Sequence, residues 1–248
     1  MNGRRVFITG AGRGLGAALA VTFADLGAEV TLAARDPAAL DKVAGAIAAR
    51  TSKRPEIVVL DLGDVKAVTA LTAQRQAERR ALDLLVNNAS MWQSGDFESG
   101  SDEDLISLVN ANVTGTMLLT KGLLPLLKAS PAADIINVVS VSGMPQAEQQ
   151  EASVAFVASK AAQSGFTDAL RQELRGSGVR MTAIYPPNIE DISPLDMAEW
   201  NRPREQDAWV TNRDVVDALL AALQRGRHIS FQSILIETAT SNLHFHKD

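Results

Sequence analysis

The chain has 248 residues, 46% of them hydrophobic, which is enough to build a large buried core. Its formal charge of −5 argues against a non-specific nucleic-acid binder, because neutralising phosphates takes clustered Lys and Arg. The absence of cysteine excludes disulfides, thiolate nucleophiles and Cys-type zinc sites.

Arg5–Ile8 is a short apolar run with the composition of a buried strand, and it leads into Thr9-Gly10-Ala11-Gly12-Arg13-Gly14-Leu15-Gly16. Behind it Leu15, Leu19, Phe23 and Leu26 recur at helical spacing. Strand, glycine-rich turn and helix in that order make a phosphate cradle. Glycine lets the backbone approach a ligand closely, and a helix N-terminus presents unpaired N–H groups to an anion. The spacing is GxxxGxG rather than the commonest dinucleotide fingerprint, and an ordinary strand-to-helix turn is the bland alternative.

Glu29–Ala34 reads as a second strand, followed by Arg35 and by Asp36-Pro37, an N-cap with Pro at the first helical position. That helix is expected to run to about Arg50. Ile57–Leu60 predicts a buried strand ending at Asp61, then a polar helix over about 64–80. Leu82–Val86 is the next strand, closed by Asn87-Asn88-Ala89-Ser90, with a helix near 102–110. Residues 112–128 predict one long helix, apolar almost all round, that wants cover on several sides. Ile135–Val139, Val179–Ile184 and Ser233–Ile236 are further strands, and helices are expected over about 153–175 and 212–223. Pro186-Pro187 breaks the chain between them.

Apolar strands alternating with helices imply a doubly wound parallel sheet of about seven strands with helices on both faces. With no linker, repeat or low-complexity tract, residues 1–248 read as one domain. The run behind Arg4-Arg5 is cut short by glycines and is no signal peptide, and no run reaches the roughly 20 apolar residues that span a bilayer. The expectation is a cytoplasmic protein with neither a membrane nor a nucleic-acid partner.

In this order the motifs resemble those of the short-chain dehydrogenase/reductase family over nearly the whole chain, which implies a Rossmann-like fold. Thr9-Gly10 with Gly14 and Gly16 is similar to that family's TGxxxGxG coenzyme loop, Asp61 to its adenine-contacting Asp, and Asn87-Asn88-Ala89 to its NNAG motif, with Ser90 for the glycine. Asn112 matches the active-site Asn, Ser140 the Ser that hydrogen-bonds the substrate carbonyl, and Lys160 the lysine of the YxxxK helix. The resemblance further implies coenzyme contacts at Leu15, Leu62, Asn88, Ala89, Lys160, Pro186 and Ile189. It also implies a small-molecule substrate, and a homodimer or homotetramer built on the 112–128 helix and the helix carrying Lys160.

Phe156 departs from the pattern. It stands four residues before Lys160, where the family carries its catalytic Tyr. A Tyr beside an ammonium exchanges a proton with the substrate oxygen; Phe has none to exchange. Loss of a positioned acid costs about 10²–10⁴ in rate, which leaves proximity and the Ser140 hydrogen bond. Either the chain has diverged or Phe156 is an engineered block. Pro186-Pro187 replaces the family's Pro-Gly, and Asp191 replaces a Thr and would repel a pyrophosphate. The segment from Ser140 to Phe156 is also longer than usual, with Gln146, Glu148, Gln149, Gln150 and Glu151.

An acid at the tip of the second strand would hold the ribose 2′-OH of NAD, whereas an Arg suits the 2′-phosphate of NADP. Here the tip is Ala33-Ala34-Arg35, with Arg13 a second cation in the loop, so NADP(H) is the expected coenzyme. Tyr185 is expected to be structural, with a substitute proton donor as the alternative role; Glu148, Glu151 and Asp191 are solvated carboxylates or substitute acids. His228, His244 and His246 read as surface and tail residues, with no metal site. Trp92, Trp200 and Trp209 either line an apolar pocket or simply pack. Three functions remain open: an NADP(H)-dependent oxidoreductase, a non-redox cyclase, isomerase or lyase on the same scaffold, and an NADP(H)-binding regulator without turnover.

Overall fold

The computed structural model describes residues 1–145, 152–205 and 207–239. Strands β1 (Arg5–Thr9), β2 (Glu29–Ala34), β3 (Glu56–Val59), β4 (Leu84–Asn87), β5 (Asp134–Val138), β6 (Arg180–Tyr185) and β7 (Ser233–Leu235) form one sheet. Its order is β3-β2-β1-β4-β5-β6-β7, with every neighbour parallel. Successive strand residues point to opposite faces, and both faces are covered. Val6 and Ile8 of β1 and Leu84 and Val86 of β4 join Leu19, Phe23 and Leu40 in one core. Phe7, Leu85 and Ile135 join Leu119, Leu123 and Met181 in the other.

The helices are α1 (Gly14–Asp25), α2 (Pro37–Thr51), α3 (Val65–Glu78), α4 (Asp102–Val109), α5 (Thr116–Lys128), α6 (Val154–Glu173), α7 (Met197–Trp200) and α8 (Asn212–Leu223). Asp36 caps α2 as expected, its Oδ1 accepting from the N–H groups of Ala38 and Ala39. At the amino edge of the sheet the buried Asp134 carboxylate takes Arg4, Arg180 and Arg227 at 2.6, 2.7 and 2.9 Å. These contacts tie β1, β5, β6 and the chain after α8 to one another.

Three expectations need correction. Strand β3 is not buried: it lies at the sheet edge, and Val59 is 59% exposed. The helix expected to start at Asn112 does not start there. A π-helical segment, Asn110–Gly115, joins α4 to α5 without a break. The extra backbone residue turns Asn112 fully inward, and Gly115 packs against Leu62, where a Cβ would fall 1.9 Å from the Leu62 carbonyl oxygen. Nor is that helix buried all round. Leu119, Leu123, Leu126 and Leu127 face the core, while Lys121, Pro125 and Lys128 are exposed. The short helix α7 lies in a stretch where no element was expected.

Candidate active site at the switch point of the sheet

Strand order reverses between β1 and β4, so the carboxyl tips of these strands diverge and leave a crevice where ligands bind in open α/β sheets. Thr9 locks the two tips together. Its Oγ1 accepts from the backbone N–H groups of Asn88 and Ala89, each at 3.0 Å, and donates to the Val86 carbonyl at 3.3 Å. Asn88 Nδ2 donates back to the Thr9 carbonyl at 3.0 Å. This lock requires glycine: a Cβ on Gly10 would stand 2.8 Å from Asn88 Nδ2, and one on Gly16 would stand 2.1 Å from the Gly10 carbonyl oxygen.

Side-chain oxygens cap α2, α3, α4, α6 and α8, but α1 has no side-chain cap. Its first N–H groups, with their positive dipole end, therefore open into a cleft of about 740 Å³. Gly10, Arg13, Gly14, Leu15 and Gly16 line one side of it, and Arg35, Asp61, Leu62, Asn88, Ala89 and Asn112 line the rest. An uncapped helix end, a backbone without Cβ atoms and two cations fit the phosphates of a dinucleotide. Arg13 and Arg35 are exposed and form no ion pair among the described residues. Asp36, the acid nearest the β2 tip, is held in its cap. Asp61 turns its own loop, accepting from Gly63 N–H at 2.8 Å.

One anion already stands at this cradle. A Cβ on Gly14 would lie 2.7 and 3.1 Å from the two carboxylate oxygens of Asp191. Partial burial raises the Asp191 pKa, and the Arg13 charge opposes that shift.

Ser140, Phe156, Lys160, Pro186 and Ile189 lie outside the lining of the cleft. Ser140, at the end of β5, accepts the Ser142 N–H on its Oγ at 3.1 Å. Pro186 is buried and receives the Val141 N–H on its carbonyl, while Ile189 packs against the first core. Phe156 is 7% exposed and clusters with Leu108, Ala152 and Ala155. Lys160 Nζ lies 5.6 Å from its ring centroid. The ammonium donates to the Val138 carbonyl at 3.3 Å and to Gln163 Oε1 at 3.1 Å, and burial pushes its pKa down to about 7.

Gln163 is the residue the sequence reading missed. Its Nε2 donates to the backbone carbonyl of Asn112 at 2.7 Å while its Oε1 holds Lys160. The Asn112 backbone and the Lys160 ammonium are thus bridged by an amide. The Asn112 side chain is committed as well, to both backbone groups of Met91 and to Ser159 Oγ. A buried amide three residues after Lys160, on the same helix face, was the available signal.

Tyr185 is structural: it is 3% exposed and its hydroxyl meets Ser164 Oγ at 2.8 Å. Trp200 packs against the first core, and neither Trp92 nor Trp209 lines the cleft. Gln146, Glu148, Gln149, Gln150 and Glu151, like His244 and His246, lie outside the described residues. Among the described residues no group of three potential metal ligands occurs, and no helix is long and apolar enough to cross a membrane.

Sheet order and glycine cradle define a Rossmann-like α/β protein with the site of a dinucleotide-binding fold. Residues 4–202 match the family model for short chain dehydrogenases, and the chain belongs to that family of oxidoreductases. An uncharacterized oxidoreductase of Staphylococcus saprophyticus is 30% identical over 229 residues, which are 92% of this chain and 94% of the relative. A metagenomic short-chain oxidoreductase solved in complex with NADP is 26% identical, with a TM-score of 0.79 over 95% of this chain and 97% of that one. A short chain dehydrogenase from Shigella flexneri, also complexed with NADP, is 25% identical with a TM-score of 0.81 over the same shares.

Proposed function

We propose that this chain is an NADP(H)-dependent oxidoreductase acting on a carbonyl or alcohol, with a reacting end that has lost its usual proton donor. The observation that carries the coenzyme reading is the pairing of an uncapped α1 with Arg13 and Arg35, while Asp36, the acid nearest the β2 tip, is spent on a cap. The NADP bound to two related structures supports it. The cradle at Gly10, Gly14, Leu15 and Gly16 holds the pyrophosphate, Arg13 and Arg35 take the 2′-phosphate, and Asp61 with Leu62 faces the adenine. Asn88, Ala89, Pro186 and Ile189 flank the nicotinamide half. When bound, the coenzyme supplies or accepts the hydride.

Ser140 orients the substrate carbonyl, and Lys160, steadied by Gln163 and Asn112, holds the nicotinamide ribose. Phe156 contributes only apolar surface. The joint presence of Pro186-Pro187, Asp191 and Phe156, each a departure from the family pattern, supports natural divergence of this end rather than a single engineered block. A second reading, coenzyme binding without turnover, is favoured by the Lys160–Gln163–Asn112 line, which is closed by hydrogen bonds within the chain. The outer face of α6 exposes Ala158, Ala161 and Gly165, a smooth surface suited to a homodimer or homotetramer, and the protein works in the cytoplasm on a small-molecule substrate.

The test is titration with NADPH and NADH, then NADPH oxidation against a carbonyl panel. Tighter NADPH binding with turnover supports the first reading. Binding without turnover, in both the natural chain and Phe156→Tyr, supports the second. Equal or tighter NADH binding refutes the coenzyme choice.

A further inference from the structure

The Asp191 carboxylate has no role in the proposed chemistry, yet it stands at the phosphate cradle, against Gly14. Its backbone is clamped from both sides. Glu190 bridges to Thr211, with its N–H on the Val210 carbonyl and its carbonyl accepting from Asn212 N–H. Ile192 exchanges two hydrogen bonds with the buried side chain of Asn212, at 3.2 and 2.9 Å. Thr211 and Asn212 are themselves fixed by the capping box that starts α8. The carboxylate is therefore tethered at the cradle, and only its side-chain torsions can move it.

Among the described residues, the charges on the surrounding elements leave Arg13 as its one electrostatic counterpart. Glu190 pairs with Arg204, which also holds Glu199; Arg213 pairs with Asp217; and Asp214 is held in its cap. A phosphate arriving at α1 meets a like charge, with Arg13 shared between the two anions.

We propose that Asp191 is an affinity-determining residue for the coenzyme: it competes as a tethered anion for the phosphate cradle, so that binding of NADP(H) is coupled to protonation of its carboxyl group. This rests on the coenzyme reading above. Partial burial, which raises the carboxyl pKa, makes the protonated form more accessible, although Arg13 opposes it. The sign follows: the neutral acid admits the phosphate and the carboxylate resists it, so affinity falls as pH rises through the carboxyl titration.

The experiment is calorimetric titration of the full chain with NADPH between pH 5 and 8, in buffers of different ionisation enthalpy. The natural protein, Asp191→Asn and Asp191→Thr are compared. Because the 2′-phosphate of the coenzyme itself titrates near pH 6, the Asn variant serves as the reference at each pH. The expected result is net proton uptake by the natural protein beyond that of the variant. NADPH should also bind about tenfold tighter to Asp191→Asn at pH 8, with the gap narrowing as pH falls into the carboxyl titration. Equal affinities of natural protein and variants at every pH overturn the inference and leave the coenzyme reading intact. Failure of all three proteins to bind NADPH, with folding verified by circular dichroism, overturns both.

Discussion

Lys160→Met replaces a buried ammonium by a chain of nearly the same length without charge. In the folded protein burial brings the Lys160 pKa from 10.5 to about 7, so between those values the unfolded chain binds more protons than the native one. Stability must then rise with pH across that window. Integrating the two titrations gives a gain of about 2.5 kcal/mol for the natural protein between pH 6 and pH 9, out of roughly 5 kcal/mol in all. The variant lacks this term. It also loses hydrogen bonds to the Val138 carbonyl and Gln163 Oε1, an offset of about 1–3 kcal/mol that does not depend on pH. Urea unfolding at pH 6, 7, 8 and 9 separates the two effects, since all other groups cancel in the difference. The variant's stability relative to the natural protein should fall by about 2.5 kcal/mol from pH 6 to pH 9. A gap that stays constant would mean that Lys160 keeps its charge on folding, and the desolvation argument would be wrong.

Phe156→Tyr restores a hydroxyl at the position of the absent acid and should raise NADPH-dependent turnover of a carbonyl substrate by about 10²–10⁴. Turnover unchanged in a folded variant would place the proton source elsewhere. Arg35→Glu puts an acid at the β2 tip and should narrow the preference for NADPH over NADH by tenfold or more, measured by paired fluorescence titrations; an unaltered ratio would leave Arg35 a surface charge. Asp134→Ala strips the partner from Arg4, Arg180 and Arg227 and should cost about 3–5 kcal/mol in chemical unfolding, while coenzyme binding by whatever stays folded is preserved.

Element types were legible in the chain because they depend on local pattern. The β2 strand and α8 helix came out with their bounds unaltered, and Asp36-Pro37 marked the start of α2, since caps and periodicity involve residues a few positions apart. The glycine loop was equally readable: the backbone approaches that forbid a Cβ at Gly10 and Gly16 leave their trace in composition. Edge position was not readable, and β3 has the same apolar run whether it is covered or lies at the rim. The π segment around Asn112 was hidden too, because the inward turn is set by partners at Met91 and Ser159, far away in the chain.

By itself the sequence determined the alternation of strands and helices, the phosphate cradle and the missing hydroxyl at 156. Only the tertiary structure decided that Gln163 bridges Lys160 to Asn112 and that the Asp191 carboxylate rests on Gly14. The physical reason is that backbone conformation is dictated by neighbours in the chain. Which polar group meets which across a core depends instead on how distant elements pack, and no local pattern records that meeting.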